Sequence, residues 1–497
     1  MTSEKTRLIV GPFNRVEGDL EVRLEIAGGA VAAAHVNAPL FRGFERILQG
    51  RDPMDALVVA PRICGICSVS QSHAAALALA GVMGVAPPRN GVLATNLMTA
   101  TETVADHLTH VHLFFMPDFA RAPYATRAWF PRAEARFKAA QGSAVRGAMA
   151  ARAGLFHILG LLGGKWPHTL TLQPGGVARA ADARDRVRLL AILGGFRRFL
   201  EDSLFGAPLE RVLDLTSPED LDRWRAGGPE GDFRLFLEIA EDLGLARLGR
   251  AYDRFLSHGA YPDAGEEGAH LYRRGTVAEG RHAPFDPDAV AEHHRFSWMA
   301  GRDRAHPPFE GSTVPEMGAP EPAGPEGTQD GYSWCKAPRL AGLPYETGAL
   351  ARQLVDGQPL VAALVARDGG TVMSRVVARL LEIARTVRAM EGWVRALEPA
   401  GPWCVQGVLP DSGRAVGLTE AARGALGHWL RVEQGRIAGY QIIAPTTWNF
   451  SPRDLDGVPG PLERALVGAP VREGETSPLS VQHIVRSFDP CVVCTVH

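Results

Sequence analysis

Two Cys-x-x-Cys pairs stand at opposite ends of this 497-residue chain, Cys64/Cys67 in RICGIC and Cys491/Cys494 in DPCVVCTVH. For four thiolates to meet at one site, the fold must bring its two ends together across nearly the whole sequence. Each pair offers two soft sulfur ligands one turn apart, and four of them suit nickel, iron, zinc or an iron–sulfur cluster far better than magnesium or calcium. An ordinary zinc ribbon closes over a few tens of residues. Closing this site takes the complete fold, so the spacing predicts a buried, enzyme-like metal centre and disfavours a structural zinc site.

The other two cysteines, Cys335 and Cys404, are isolated, which does not suggest a disulfide framework. A reducing compartment, the cytoplasm, is the expectation. The N-terminus MTSEKTRLIVGPF has no apolar signal core, and no stretch reaches the ~18 uninterrupted apolar residues of a membrane span. Lys plus Arg (53) and Asp plus Glu (55) nearly cancel, so no basic field points to nucleic acid.

The length alone allows several domains, but the cysteine placement predicts one α+β unit, predominantly helical. Residues 7–48 alternate apolar and polar positions around Gly28-Gly29 and predict a small antiparallel sheet. Residues 49–257 predict a first part of a helical core. Ser68 to Ala80 reads as a helix stopped by Gly81 and capped by its own hydroxyl residues, which places Cys64 and Cys67 at its N-terminal end, where backbone N–H groups favour thiolate. A second helix is expected over Leu93–Phe115. Residues 258–345, rich in Gly, Pro, His and acidic residues as in MGAPEPAGPEGTQDG, read as an irregular excursion. Residues 346–497 are expected to complete the helical core and supply the last ligands. Within them, Thr371–Leu397 carries an apolar stripe of Val376, Leu380, Ile383, Val387, Met390 and Val394. Arg375, Arg379, Arg385 and Arg388 lie mostly off that stripe and read as a solvated or interface face.

With RxCGxC near the start and DPCxxCxxH at the end, the chain resembles the large subunit of the nickel–iron hydrogenases. RVEGDL, LFRGFERILQGRDP, ARGALGHW and PTTWNFSPRD follow the same family in order, so the likeness spans the whole chain. The resemblance implies a central helical core of the hydrogenase large-subunit type and heterolytic hydrogen cleavage at a nickel–iron centre. Cys64 and Cys491 would be terminal on nickel, and Cys67 and Cys494 bridging to iron. The iron would carry carbon monoxide and cyanide ligands installed by maturation proteins.

The same resemblance assigns further residues. Glu17 matches a glutamate that takes protons from Cys491, a role suited to a carboxyl whose pKa burial raises. Glu45, a backbone carbonyl near Ile442, and His497 match the ligands of a magnesium ion that ties the chain end to the N-terminal region. Arg423 matches an arginine over the metals, held by Asp118 and Asp489. His107, His110 and His428 read as hydrogen-bonded core histidines. Ile66 and Phe114 fall on the family's gas route, where bulk would narrow access.

Departures point to one branch. Gln71 stands where a histidine is common, Asp19 replaces the histidine of RVEGH, and Ala422 precedes Arg423 in place of proline. RICGICSVSQS is similar to the regulatory, hydrogen-sensing branch, and a chain ending at His497 fits the same branch, although a processed chain would look alike. The expected role is a low-turnover hydrogen sensor signalling to a histidine kinase, with an iron–sulfur small subunit as partner and a dimer of heterodimers. The alternatives are a respiratory uptake hydrogenase and a metal-free scaffold like the related quinone-pocket subunit of respiratory complex I.

Overall fold

The computed structural model describes residues 6–227, 231–266, 268–316 and 331–497. Thr6–Val10, Glu21–Ala27 and Ala30–Asn37 form the expected three-stranded antiparallel sheet. Gly28 and Gly29 make its turn with φ of 59° and 76°, a region glycine enters without steric penalty. One continuous hydrophobic core runs from Val10 in this sheet to Val496, so the chain is a single unit.

The cysteine helix spans Ser68–Met83, passing Gly81 and stopping at left-handed Gly84. Gly81 is therefore not a stop: a Cβ there would lie 2.7 Å from the Cβ of Ala415, so the glycine permits close approach of a strand. Its cap differs as well. The buried Glu102 carboxylate accepts from the backbone N–H groups of Val69 (2.8 Å) and Ser70 (2.9 Å), a task expected of the helix's own hydroxyls. Glu102 comes from the second helix, Arg89–Thr109, which continues as a π turn over His110–Phe115.

The third predicted helix is Val372–Ala396, capped by Thr371. Its arginines are not a solvated face. Arg375 and Arg379 are buried because the helix packs between Arg89–Thr109 and the helix Leu479–Ser487. Arg375 pairs with Glu346 at 2.7 Å and lies 3.7 Å from the Phe488 ring centre, and Arg379 donates to the carbonyl of Ser487. Arg385 is half-buried against Asp356, and only Arg388, beside Glu391, is well exposed.

The stretch read as irregular also carries strands, though turns and loops make up most of its described residues. Arg254–Pro262 pairs antiparallel with His270–Ala278, and Val290–His293 sits between Ala305–His306 and Ala337–Leu340. The tract MGAPEPAGPEGTQDG lies outside the described residues except for Gly331. A further antiparallel sheet, Gly413–Ala421, Gly424–Glu433 and Arg436–Ile443, occupies a region expected to be helical. The cysteine helix lies directly on it, since a Cβ at Gly417 would stand 2.0 Å from the carbonyl oxygen of Ala74.

One helical stretch, Ser143–Gly163, has the length and mean hydropathy (1.2) of a membrane span. It is broken at Phe156 and packs on Arg89–Thr109 and Ala183–Phe199.

Candidate metal centre

Each thiol is delivered by a different local device. Cys64 follows a 3₁₀ turn at Ala60–Ile63, and Cys67 is the N-cap residue of the cysteine helix. Cys491 pairs with Glu17 as an isolated parallel bridge, and Cys494 sits in the short helix Val492–Thr495. The four Sγ atoms lie within 4.8 Å of one another, all buried. Cys64 and Cys491 are 3.5 Å apart, Cys67 and Cys494 3.2 Å, and Cys491 and Cys494 2.9 Å. Four buried soft donors this close, with no disulfide among them, fit a soft metal centre held by thiolates. Hydrogen bonds with Cys491, Cys494 and Cys67 pull Cys64 well below the ordinary thiol range, with Arg423 adding to the effect. Burial pushes Cys491 and Cys494 up, and the hydrogen bond with Cys491 does the same to Cys67.

Arg42 joins the two cysteine segments. Its guanidinium donates to the carbonyls of both Ile63 and Val493, next to Cys64 and Cys494. It lies in the motif LFRGFE, yet only Glu45 had been singled out there.

Glu17 is held by backbone pairing: its N–H donates to Pro490 (3.4 Å) and its carbonyl accepts from Val492 (2.7 Å). Burial raises its pKa, the Cys64 charge adds to this, and Arg423 and Arg42 oppose. Asp19, two residues on, is exposed.

Arg423 occupies the two-residue turn between Gly413–Ala421 and Gly424–Glu433. Its Nε donates to the carbonyl of Asp489 (3.0 Å) and its Nη2 to the Asp489 carboxylate (3.4 Å). The second carboxylate is Asp106, at 3.0 and 3.2 Å, and not Asp118. Asp118 sits instead among Arg15, Arg486 (2.6 Å) and His483 (3.4 Å). Asp106 lies one residue before His107 on the second helix, three turns earlier than Asp118, and the turn carrying Arg423 reaches that level only. Burial pushes Asp106 up to about 7 against the pull of Arg423. Burial also acts to raise Asp489, but Arg423, His110 and Arg379 outweigh it and hold the carboxyl below its ordinary value.

The expected hard-cation ligands also converge. His497 Nδ1 faces the carbonyl of Cys494 (2.9 Å) while its Nε2 lies 2.6 Å from the carbonyl oxygen of Ile442 and 3.6 Å from Glu45 Oε1. With Nδ1 donating, a neutral ring turns a lone pair toward two electron-rich oxygens, so this corner requires either a second ring proton or a cation, and a carboxylate, a carbonyl and an imidazole fit a hard divalent ion. Lys336 supplies positive charge at the same carboxylate, 3.1 Å from both Glu45 and Glu292 and 2.7 Å from Gln441. Glu292 is pushed up to about 7 by burial. Neither Lys336 nor Glu292 carries a motif that would have marked it.

His107, His110 and His428 are buried and hydrogen-bonded, as expected. Gln71 engages His428 Nε2 at 2.8 Å, and His428 Nδ1 engages the Tyr440 hydroxyl at 2.8 Å. Ala422 is buried beside Arg423. Ile66 is half-buried against the cysteine cluster, its N–H donating to Cys64 Sγ at 3.3 Å. Phe114 is half-buried on the π turn, where its carbonyl accepts from Arg15.

Comparison with known proteins meets this geometry. The family model for nickel-dependent hydrogenase matches residues 42–139 and 237–497. The periplasmic [NiFeSe] hydrogenase large subunit of Desulfomicrobium baculatum is 30% identical, over 99% of this chain and 95% of that protein. The hydrogenase-2 large chain of Escherichia coli (strain K12) is 26% identical, over 99% and 97%. The reduced Ni-Fe-Se hydrogenase from D. vulgaris Hildenborough superposes with a TM-score of 0.81 at 30% identity, covering 99% of this chain and all of that one. All four ligand positions are cysteine here. With four thiols converging as the two motifs require and a family match across most of its length, the chain belongs to the nickel-dependent hydrogenases, as a large subunit and an oxidoreductase.

Proposed function

We propose that the four thiolates hold the family's nickel–iron pair, its iron carrying carbon monoxide and cyanide, and that Glu17 and Arg423 serve hydrogen cleavage there. The convergence of Cys64, Cys67, Cys491 and Cys494 from both ends of the chain carries this reading. When bound, the metal pair supplies heterolytic activation of hydrogen. Glu17 lies alongside Cys491 through the backbone bridge, and burial gives its carboxyl a proton affinity suited to taking a proton from that sulfur and passing it outward. Arg423, fixed by two carboxylates and permanently charged, acts electrostatically and not as a base. Glu45, Ile442 and His497 bind a magnesium ion that orients the segment carrying Cys491 and Cys494.

Electrons leave through a small subunit bearing iron–sulfur clusters, docked at the Cys64–Cys67 side; among the described residues, neither Cys335 nor Cys404 belongs to a group of metal-ligating side chains. The finer role proposed is hydrogen sensing in the cytoplasm, linked to a histidine kinase. It rests on the likeness of RICGICSVSQS, with Gln71 where a histidine is common, to the sensing branch. Fast dye reduction would favour respiratory uptake instead.

The test is an infrared spectrum of the protein purified with its small subunit from a host supplying the maturation proteins. Carbon monoxide and cyanide stretches that shift under hydrogen are expected. Their absence from fully metal-loaded protein would overturn the reading.

A further inference from the structure

A cleft of about 420 Å³ opens beside the N-terminal strand, lined among others by Asn14, Arg15, Arg121, Ser477, Gln482 and Arg486. Its charge is unbalanced. Three guanidiniums surround one fully buried carboxylate, Asp118, and among the described residues no Asp or Glu lines the cleft. Arg15 engages one Asp118 oxygen and Arg486 the other (2.6 Å), with Arg121 at 3.6 Å.

The neutral acceptors are already committed. Gln482 Oε1 accepts from Arg121 (2.7 Å) and Arg486 (3.2 Å), and Asn14 accepts twice from Arg486, through its carbonyl (2.9 Å) and its side chain (2.7 Å). The amide nitrogen of Gln482 is turned to the carbonyl and hydroxyl of Ser477. The Arg486 side chain is only 1% exposed, yet its Nε finds no partner among the described residues. The walls thus offer donors and excess positive charge around a space large enough for a small anion, the arrangement that planar guanidinium forks use to hold carboxylates and phosphates.

We propose that this cleft is an oxyanion-binding site, taking a carboxylate or phosphate group across Arg15, Arg121 and Arg486. Arg15 lies two residues before Glu17, and Arg486 three before Asp489. An occupant therefore stiffens both segments that frame the cysteine site without entering it. The same chemistry has two sources, a free anion or an acidic side chain of the partner subunit.

The experiment is thermal melting of the full chain, alone and as purified with its small subunit, titrated with inorganic phosphate against potassium chloride at equal ionic strength. A saturable rise in Tm with phosphate is expected. R121Q should raise the half-saturating concentration about tenfold by removing one charged partner. S477E, which places a carboxylate in the cleft, should raise Tm by itself and abolish the phosphate response. Hydrogen–deuterium exchange should slow over residues 9–15 and 476–486. A response in both preparations identifies a free anion, and a response in the chain alone identifies a carboxylate of the partner. No response in either, or variants that respond like the wild type, would overturn the proposal.

Discussion

Replacing Glu17 with glutamine isolates one proton acceptor from the rest of the centre. Glutamine has the same shape, and the two hydrogen bonds that hold residue 17 beside Cys491 are both backbone bonds, Glu17 N–H to Pro490 and Val492 N–H to Glu17. E17Q therefore keeps the cysteine arrangement, and the infrared bands of the iron ligands should not move. The carboxyl is what disappears. A positioned acid–base group contributes roughly 10²- to 10⁴-fold, or about 3–5 kcal/mol of barrier. Hydrogen–deuterium exchange between gas and water, followed by mass spectrometry, should fall by that factor. E17D keeps a carboxyl but withdraws it by about 1.5 Å, one C–C bond, enough to break a direct hydrogen bond and leave an intermediate rate. Because burial raises the Glu17 pKa, a limb of the wild-type pH profile should lie above the usual glutamate range and vanish in E17Q. Exchange within twofold of wild type at an unchanged infrared spectrum would refute the assignment.

R42M removes the donor shared by Ile63 and Val493, so nickel content and Tm should both fall; full retention of both would show that the cysteine segments hold each other without it. H497A removes one proposed magnesium ligand and should weaken magnesium retention by about 10- to 100-fold or more, measured by magnesium analysis after dialysis against chelator; unchanged magnesium content would remove His497 from the ligand set. D118N breaks a buried carboxylate–guanidinium cluster and should destabilise by about 3–5 kcal/mol in chemical denaturation, with turnover per bound metal unchanged; lost turnover in stable protein would return Asp118 to the active site. Burial alone would raise the Asp118 pKa, but His483, Arg486 and Arg15 hold it below the ordinary value. Its contribution is therefore complete above about pH 4 and lost as pH falls further, so D118N should flatten that acid limb of stability.

The cysteine pairs were legible because their spacing is itself the signal, whereas Glu17, Glu45 and His497 were marked only by the likeness of their motifs to the family. Asp106 was not. It is one carboxylate within a long helical pattern, and only the turn that carries Arg423 back to that helix sets it apart from Asp118. The buried arginines were misread for a related reason: an apolar stripe shows which face packs first, but Val372–Ala396 is covered on a second side by a helix some hundred residues later in the chain. The sheet over Gly413–Ile443 did leave a trace. Gln434-Gly435 separates two alternating runs, LRVE and RIAGYQII, as a hairpin turn does. The strands between Arg254 and Leu340 carry Gly, Pro and His within or beside them, and Arg254–Pro262 is buried on both faces, which hides their alternation.

The sulfurs of Cys64 and Cys491 meet although 427 residues separate them. During synthesis the chain grows from one end, so Cys64 and Cys67 exist long before their partners, and no partly made polypeptide can present the complete donor set. Delivery of metal to all four sulfurs is thus restricted to chains already extended as far as Cys494. A metal held by all four sulfurs would act as a clasp over almost the entire polypeptide, so any opening that separates the Ser68–Met83 helix from the last helix would first have to break metal–sulfur bonds. A metal-loaded chain should accordingly resist proteolysis far more than an unloaded one at every loop in between.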